Sequence, residues 1–234
     1  MPEILSITHP DACHSGVFRG AAGEEGVGIE EWMPATGADP RRDPVAGYDG
    51  LLVLGGDENV GEEDRYPYMN RENEVIAAWL DSGRPVMGIC LGAQMVASLA
   101  GGSVYRLEEK EMGWLEYRHL DAAAEDPLLG FAAPTATGLL WHDYAFTAPA
   151  GATVLAENGA CTQAFRIGEA WALQPHPEVT APILEEWLEP DERDAGDPSR
   201  VAGKEAIAAG MPACLPPWSD YGTELFRRFA RRCR

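Results

Sequence analysis

Three side chains in this sequence, Cys90, His176 and Glu178, have the types and the settings of a nucleophile, its base and the group that orients that base. Cys90 stands in Arg84-Pro85-Val86-Met87-Gly88-Ile89-Cys90-Leu91-Gly92-Ala93-Gln94, between a short apolar strand (Pro85 to Ile89) and a helical segment (Leu91 to Leu99). A glycine lies two residues away on each side, which relieves the crowding of a sharp strand-to-helix turn because glycine has no Cβ. Such a turn, with sulfur in place of the oxygen of a G-x-S-x-G elbow, lifts the central side chain clear of the backbone. The helix start behind it offers free N–H groups and positive potential, which favour negative charge on the sulfur and on a developing oxyanion.

A thiol attacking a carbonyl also needs a base, an orienting group and oxyanion donors. His176 and Glu178 follow an apolar strand in Gln174-Pro175-His176-Pro177-Glu178. Residues two apart in extended backbone project to the same side, and Pro177 biases His176 towards that conformation. Glu178 can then hold one imidazole nitrogen while the other faces a partner such as Cys90. Open α/β sheets place their ligand sites at such carboxyl ends of strands. Gly55-Gly56, after the buried run Leu51 to Leu54, brings backbone N–H groups close to a substrate, and with the N–H of Leu91 would complete an oxyanion hole. Taken alone, Gly55-Gly56 reads as an ordinary turn. His9 and His14 fall in an N-terminal loop, and His119 has only Asp121 near it. His142, after the strand ending at Trp141, either lines the site or is a satisfied loop or core histidine.

The elements that would carry these residues alternate. Glu3 to Thr8 reads as a strand ended by His9-Pro10-Asp11, followed by a weak helix over Gly16 to Ala22, a strand over Val27 to Trp32 and a Pro/Gly-rich loop over Pro34 to Pro44. A helix is expected over Arg71 to Ser82, and the helix after Cys90 stops at Gly101-Gly102. Runs such as LLVL and PVMGI are too apolar for a half-exposed sheet and indicate a parallel α/β core. Beyond residue 102 the expected strands are Ser103 to Leu107, Gly113 to Leu120, Thr137 to Trp141, Thr153 to Ala156, Cys161 to Ile167 and Ala170 to Gln174, a meander added to the sheet. Helices follow over Thr180 to Leu188, Val201 to Ala209 and Tyr221 to Arg232, with a charged loop from Glu189 to Arg200. Residues 1–190 read as one domain, with 191–234 a helical extension packed on it.

The 234 residues are 45% hydrophobic and 24% charged, which suits a single globular domain. With 18 Lys and Arg against 38 Asp and Glu, the formal charge of −20 disfavours nucleic acid and anionic membranes as partners. No apolar run approaches the ~18 residues that span a bilayer, and no secretory signal opens the chain. Cys13, Cys90, Cys161, Cys214 and Cys233 form no C-x-x-C pair, which points to a reducing cytoplasm and away from a disulfide framework or structural zinc site. Neither metal nor cofactor is expected. Arg227, Arg228, Arg231, Arg232 and Arg234 cluster at the C-terminus, a solvated face or a partner contact.

In its order of strand-Gly-Gly, G-x-C-x-G-x-Q and H-P-E, each at a strand end, the sequence resembles the class I glutamine amidotransferases over about Glu3 to Leu188. It is most similar to the stand-alone GMP-synthase-like members, through GYDGLLVLGGDENV, RPVMGICLGAQ, Glu111-Met112-Gly113-Trp114 and LQPHPEVT. The resemblance implies a three-layer flavodoxin-like α/β fold with a mostly parallel central sheet. It also implies that Cys90 is the nucleophile, His176 the base and acid, Glu178 the orienting carboxylate, Gly56 and Leu91 the oxyanion hole, and Gly55 and Gln94 substrate-binding residues. Pro175 stands where the family usually has an aromatic residue, and Asp143-Tyr144 where stand-alone members commonly have Gly-Asp.

The function implied is hydrolysis of the glutamine γ-amide through a cysteinyl thioester, with ammonia delivered to an acceptor or synthase. No P-loop or SGG-x-D-S motif occurs, so the acceptor would be a separate chain. The alternatives are a γ-glutamyl peptidase using the same triad and a catalytically silent binding or regulatory subunit. A PfpI-like hydrolase is disfavoured because Leu91, where that group typically has histidine, follows the cysteine.

Overall fold

A computed structural model describes residues 1–10 and 14–234. Asp11 and Cys13, which figure in the sequence reading, lie outside them. The strands are β1 (Glu3–Ile7), β2 (Gly28–Trp32), β3 (Gly50–Val53), β4 (Val86–Ile89), β5 (Ser103–His119), β6 (Thr135–Thr147), β7 (Thr153–Glu157), β8 (Thr162–Ile167) and β9 (Ala170–Leu173). The helices are α1 (Gly16–Glu24), α2 (Tyr68–Ser82), α3 (Leu91–Leu99), α4 (Ala181–Leu188) and α5 (Pro198–Arg232). All nine strands form one sheet in the order β2-β1-β3-β4-β9-β8-β7-β5-β6. The first five of that order pair in parallel and the remainder antiparallel, so the expected parallel core with an added meander is what the chain forms.

The three layers follow from the period-2 alternation of buried strands. Ile4, Leu52, Met87 and Trp171 point to the face covered by α1 and α5, where Phe18 and Phe226 stack with centroids 4.4 Å apart. Leu5, Leu51, Val86 and Ala172 point to the other face, against Val75, Ile76 and Trp79 of α2 and Met95 and Val96 of α3. Every residue of β3, β4 and β9 is buried, as a sheet covered on both sides requires.

Three expectations need correction. The segments around Leu107 and Gly113 belong to a single 17-residue strand, β5, continuous through the charged run Glu108-Glu109-Lys110. Its ladder with β6 shifts register between Arg106 and Glu111, and that irregularity lets a polar stretch without strand-like alternation stay in the sheet. β6 likewise runs on to Thr147, so His142 lies inside a strand instead of after one. The two C-terminal helices are one 35-residue helix, α5, that carries Pro212, Pro216 and Pro217 in its interior. Each proline removes a helical N–H and crowds the preceding turn. Buried Leu215 and Trp218 hold the segment against the sheet across that defect, with Gly210 set against Trp114 and Gly138 against Trp218.

The C-terminal arginines are all engaged within the chain: Arg227 with Glu24, Arg228 with Glu224, Arg231 and Arg234 with Glu25, and Arg232 with Glu169. Among the described residues no helix is long and apolar enough to cross a membrane.

Candidate active site

Cys90 sits between β4 and α3 with φ +50° and ψ −108°, and among the described residues it is the one non-glycine with positive φ. For a residue with a Cβ that conformation is strained, and it persists because its surroundings leave no alternative. A Cβ on Gly88 would lie 2.5 Å from the Gly92 carbonyl oxygen, and one on Gly92 would lie 2.1 Å from that of Val53. The two flanking glycines are therefore the condition for packing the elbow against β3. The Cys90 amide donates to Leu173 O at 2.8 Å, which ties the turn to β9. Its sulfur lies 3.8 Å from Trp141 O and receives the Gln174 side-chain amide at 3.6 Å. Leu91 is the first residue of α3, so its N–H has no acceptor within the helix.

β9 delivers the second group. The His176 amide donates to Leu139 O at 2.9 Å, its carbonyl accepts from Trp218 Nε1 at 2.7 Å, and its Nδ1 lies 2.8 Å from Glu178 Oε1. Glu178 is fully buried, and its carbonyl accepts from the Val17 amide at the start of α1. The ring of Trp187, from α4, meets the His176 ring edge to face at 5.1 Å. Cys90, His176 and Gly56 all border one cavity of about 470 Å³, with Trp141 and Trp187 on its wall. A second cavity of about 190 Å³ also reaches Gly56, Cys90 and Trp141, and adds Leu91, Gln94, Lys110 and Tyr144. The arrangement presents a thiol, an imidazole with one nitrogen held by a carboxylate, and backbone donors around a common space, which is the equipment for acyl transfer. Of the residues singled out from the sequence, Gly55 is not among those lining either cavity; its carbonyl instead accepts from His9 Nδ1 at 2.8 Å.

His9 was not legible as part of the site. It is buried beneath the Gly55-Gly56 loop, with Nε2 3.4 Å from Glu72. Burial alone lowers its pKa, but the Glu72 contact, the charges of Glu72 and Glu58 and the bond to Gly55 together raise it above the ordinary 6.5. A proton held more tightly in the folded than in the unfolded chain stabilises the fold fully below about 6.5, and this contribution is lost as pH rises through the folded value. Unfolding free energy measured by urea titration should accordingly fall as pH rises above 6.5. In Glu72→Gln, where the raising groups are reduced, that part of the decline should shrink; an unchanged profile would exclude His9 as its source.

A second polar cluster braces β6. His142 Nε2 lies 3.1 Å from Glu111 Oε2, which also accepts from Gln163 at 2.8 Å and lies 3.4 Å from Cys161 Sγ. Asn158 donates to the other Glu111 oxygen at 2.5 Å. The ligand atoms of Glu111, His142 and Cys161 fall within 4.8 Å of one another, a donor set able to hold a divalent cation such as Zn²⁺. Burial and the adjacent Glu111 carboxylate push the Cys161 thiol well up, whereas burial of Glu111 is outweighed by His142, Asn158 and Gln163, which hold its carboxyl below the usual range. A neutral thiol beside an ionised carboxylate makes a self-contained hydrogen-bonded cluster. Its reach into the site is through His142 Nδ1, which donates to Tyr144 O at 2.9 Å; the same oxygen accepts from Gln94 at 2.8 Å.

The sequence model of the class-I glutamine amidotransferase family matches residues 26–186. The glutamine amidotransferase-like protein YfeJ of Salmonella typhimurium is 27% identical over 201 residues, 83% of each chain. The GMP synthase [glutamine-hydrolyzing] of Aeropyrum pernix is 30% identical over 165 residues, covering 68% of this chain but 30% of the synthase, so this chain spans under a third of that relative's length. In fold, a glutamine amidotransferase from Thermotoga maritima superposes with a TM-score of 0.86 over 98% of both chains at 24% identity.

Proposed function

Because the chain belongs to the class I glutamine amidotransferase family, whose chemistry is hydrolysis of the glutamine amide, we propose that it cleaves a γ-glutamyl amide through a thioester on Cys90. The observation that carries this reading is the positive-φ elbow, which puts Cys90 on the wall of the cavity that His176 also borders, with the His176 ring fixed by Glu178. His176, held through Nδ1, takes the thiol proton at Nε2 as Cys90 Sγ attacks the γ-carbonyl carbon. The N–H groups of Gly56 and Leu91 receive the oxyanion. The carbon–nitrogen bond then breaks, His176 returns the proton to the leaving nitrogen, and ammonia or an amine departs. Water, deprotonated by His176, attacks the thioester; the carbon–sulfur bond breaks, the sulfur is reprotonated and glutamate leaves. Gln94 and Tyr144 O form the wall facing the amino-acid end of the substrate.

In this reading glutamine is the smallest substrate and its ammonia passes to a separate acceptor or synthase chain. Hydrolysis of a larger γ-glutamyl conjugate, with no transfer of nitrogen, is favoured by the residues of the Glu189 to Arg200 segment that wall the cavity beside Cys90. Purified protein should release glutamate from glutamine or a γ-glutamyl amide, and Cys90→Ala should reduce release to background. Equal release by the two proteins would overturn the assignment of Cys90.

A further inference from the structure

The two cavities that meet at Cys90 share Gly56, Asp57, Trp141, Arg193 and Arg200, and differ in size and in the rest of their walls. A substrate whose carbonyl carbon sits at the sulfur must extend its two halves to opposite sides of it. The smaller cavity, with Gln94, Lys110, Asn59 and Tyr144, offers the polar groups that a glutamyl amino-acid end needs. The larger, about 470 Å³, lies on the side of His176, the group that protonates the leaving nitrogen. Ammonia occupies about the space of one water, ~30 Å³. The leaving side of this site therefore has room for a group far larger than ammonia.

The wall of the larger cavity describes what would fill it. Trp141 and Trp187 stand nearly perpendicular, 84° apart with centroids at 5.7 Å, and Pro190 continues the apolar surface. Five acidic residues, Asp57, Glu186, Glu189, Asp191 and Glu192, line the cavity against two arginines, Arg193 and Arg200. Both guanidiniums are engaged. Arg193 pairs with Asp57 and, at 2.9 Å, with Asp191. Arg200 pairs with Asp191 and Asp194, both at 2.9 Å, and lies over the Trp141 ring at 5.4 Å. The Arg193–Asp57 pair also fastens this segment to the loop after Gly56, so the chain itself bounds the cavity.

We propose that the larger cavity is a leaving-group subsite that selects γ-glutamyl amides of amines with an aromatic or apolar body and no negative charge. This rests on the reading of Cys90 as the nucleophile towards a γ-glutamyl amide. Tryptophan walls bury an apolar amine and attract a cationic one. A surplus of three carboxylates repels a leaving group that carries its own, as in a γ-glutamyl amino acid.

The discriminating pair is γ-glutamyl-phenethylamide and γ-glutamyl-phenylalanine, whose leaving groups differ by one carboxylate, with glutamine as the third substrate and Cys90→Ala as the blank. The phenethylamide should show the highest kcat/KM, about tenfold or more above the phenylalanine conjugate. The exposed double substitution Glu189→Gln/Glu192→Gln should narrow that ratio several-fold by raising the rate on the carboxylate-bearing conjugate. If glutamine is hydrolysed best and the aromatic amide is not preferred, the subsite is overturned while the nucleophile stands. A ratio that does not respond to the double substitution overturns the charge selection. If none of the three is hydrolysed above the Cys90→Ala blank, the γ-glutamyl chemistry itself fails.

Discussion

Glu178→Gln should lower kcat for glutamate release by about 10³–10⁴-fold and leave the fold and KM nearly unchanged. The carboxylate is fully buried and accepts from His176 Nδ1 at 2.8 Å. That bond keeps the proton on Nδ1, so that Nε2 carries the lone pair a base needs, and it stabilises the imidazolium formed when the thiol is deprotonated. The glutamine amide has the same shape but no charge, and its NH₂ end presents a donor to Nδ1, favouring the tautomer with the proton on the wrong nitrogen. Gln94 and the Trp141–Tyr144 segment, the proposed substrate contacts, are not touched, so the loss should fall on kcat. Steady-state kinetics with a thermal melt as a control for folding decides this. A loss of less than tenfold in a folded variant would remove Glu178 from the orienting role.

How far the site could be read from the chain depended on whether a residue's role is local. The elbow was legible because Gly88 and Gly92 are required within a few residues of Cys90, and the close approaches to the Gly92 and Val53 carbonyls are the reason. The pairing of His176 with Glu178 was legible from their spacing, but the chain turns at Pro177-Glu178 instead of running on extended, so the 2.8 Å contact is made across a turn. The parallel core was equally plain, since every residue of β3, β4 and β9 is buried. What stayed hidden is set by distant packing. Trp187 reaches His176 from α4, and Arg193 reaches Asp57 across the cavity, and neither has a sequence signal because each depends on how residues 181–200 fold back over the sheet. His9 reads as the end of a strand until β1 and β3 are set side by side and its ring falls under Gly55. The continuity of β5 rests on the pairs with β6 that flank the charged run Glu108-Glu109-Lys110, Arg106 with Tyr144 and Glu111 with His142, since that run has no apolar face and residues 107–110 have no partner in that ladder. In α5 the local chemistry of three prolines points one way and the packing of Leu215 and Trp218 the other, and packing prevails.

That balance in α5 gives the largest expected effect on stability. Trp218 is 2% exposed, stacks on Tyr221 with centroids at 4.7 Å, meets the Tyr117 ring edge-on at 6.5 Å and donates Nε1–H to His176 O. It lies directly after Pro216 and Pro217, where the helix is weakest in its own hydrogen bonds. Trp218→Ala should cost about 3–5 kcal/mol, a large part of the roughly 5–15 kcal/mol that holds a domain together. Trp218→Phe retains most of the ring packing but leaves the His176 carbonyl without this donor, and should cost about 1–3 kcal/mol. In urea unfolding both variants should lower the midpoint with the slope unchanged, in that order. Because the lost donor bears on the backbone of His176, the phenylalanine variant should also lose kcat at temperatures where it is fully folded. A Trp218→Ala midpoint equal to that of the parent would mean that α5 is held by its terminal turns alone, and that the prolines interrupt the helix in solution as their local chemistry dictates.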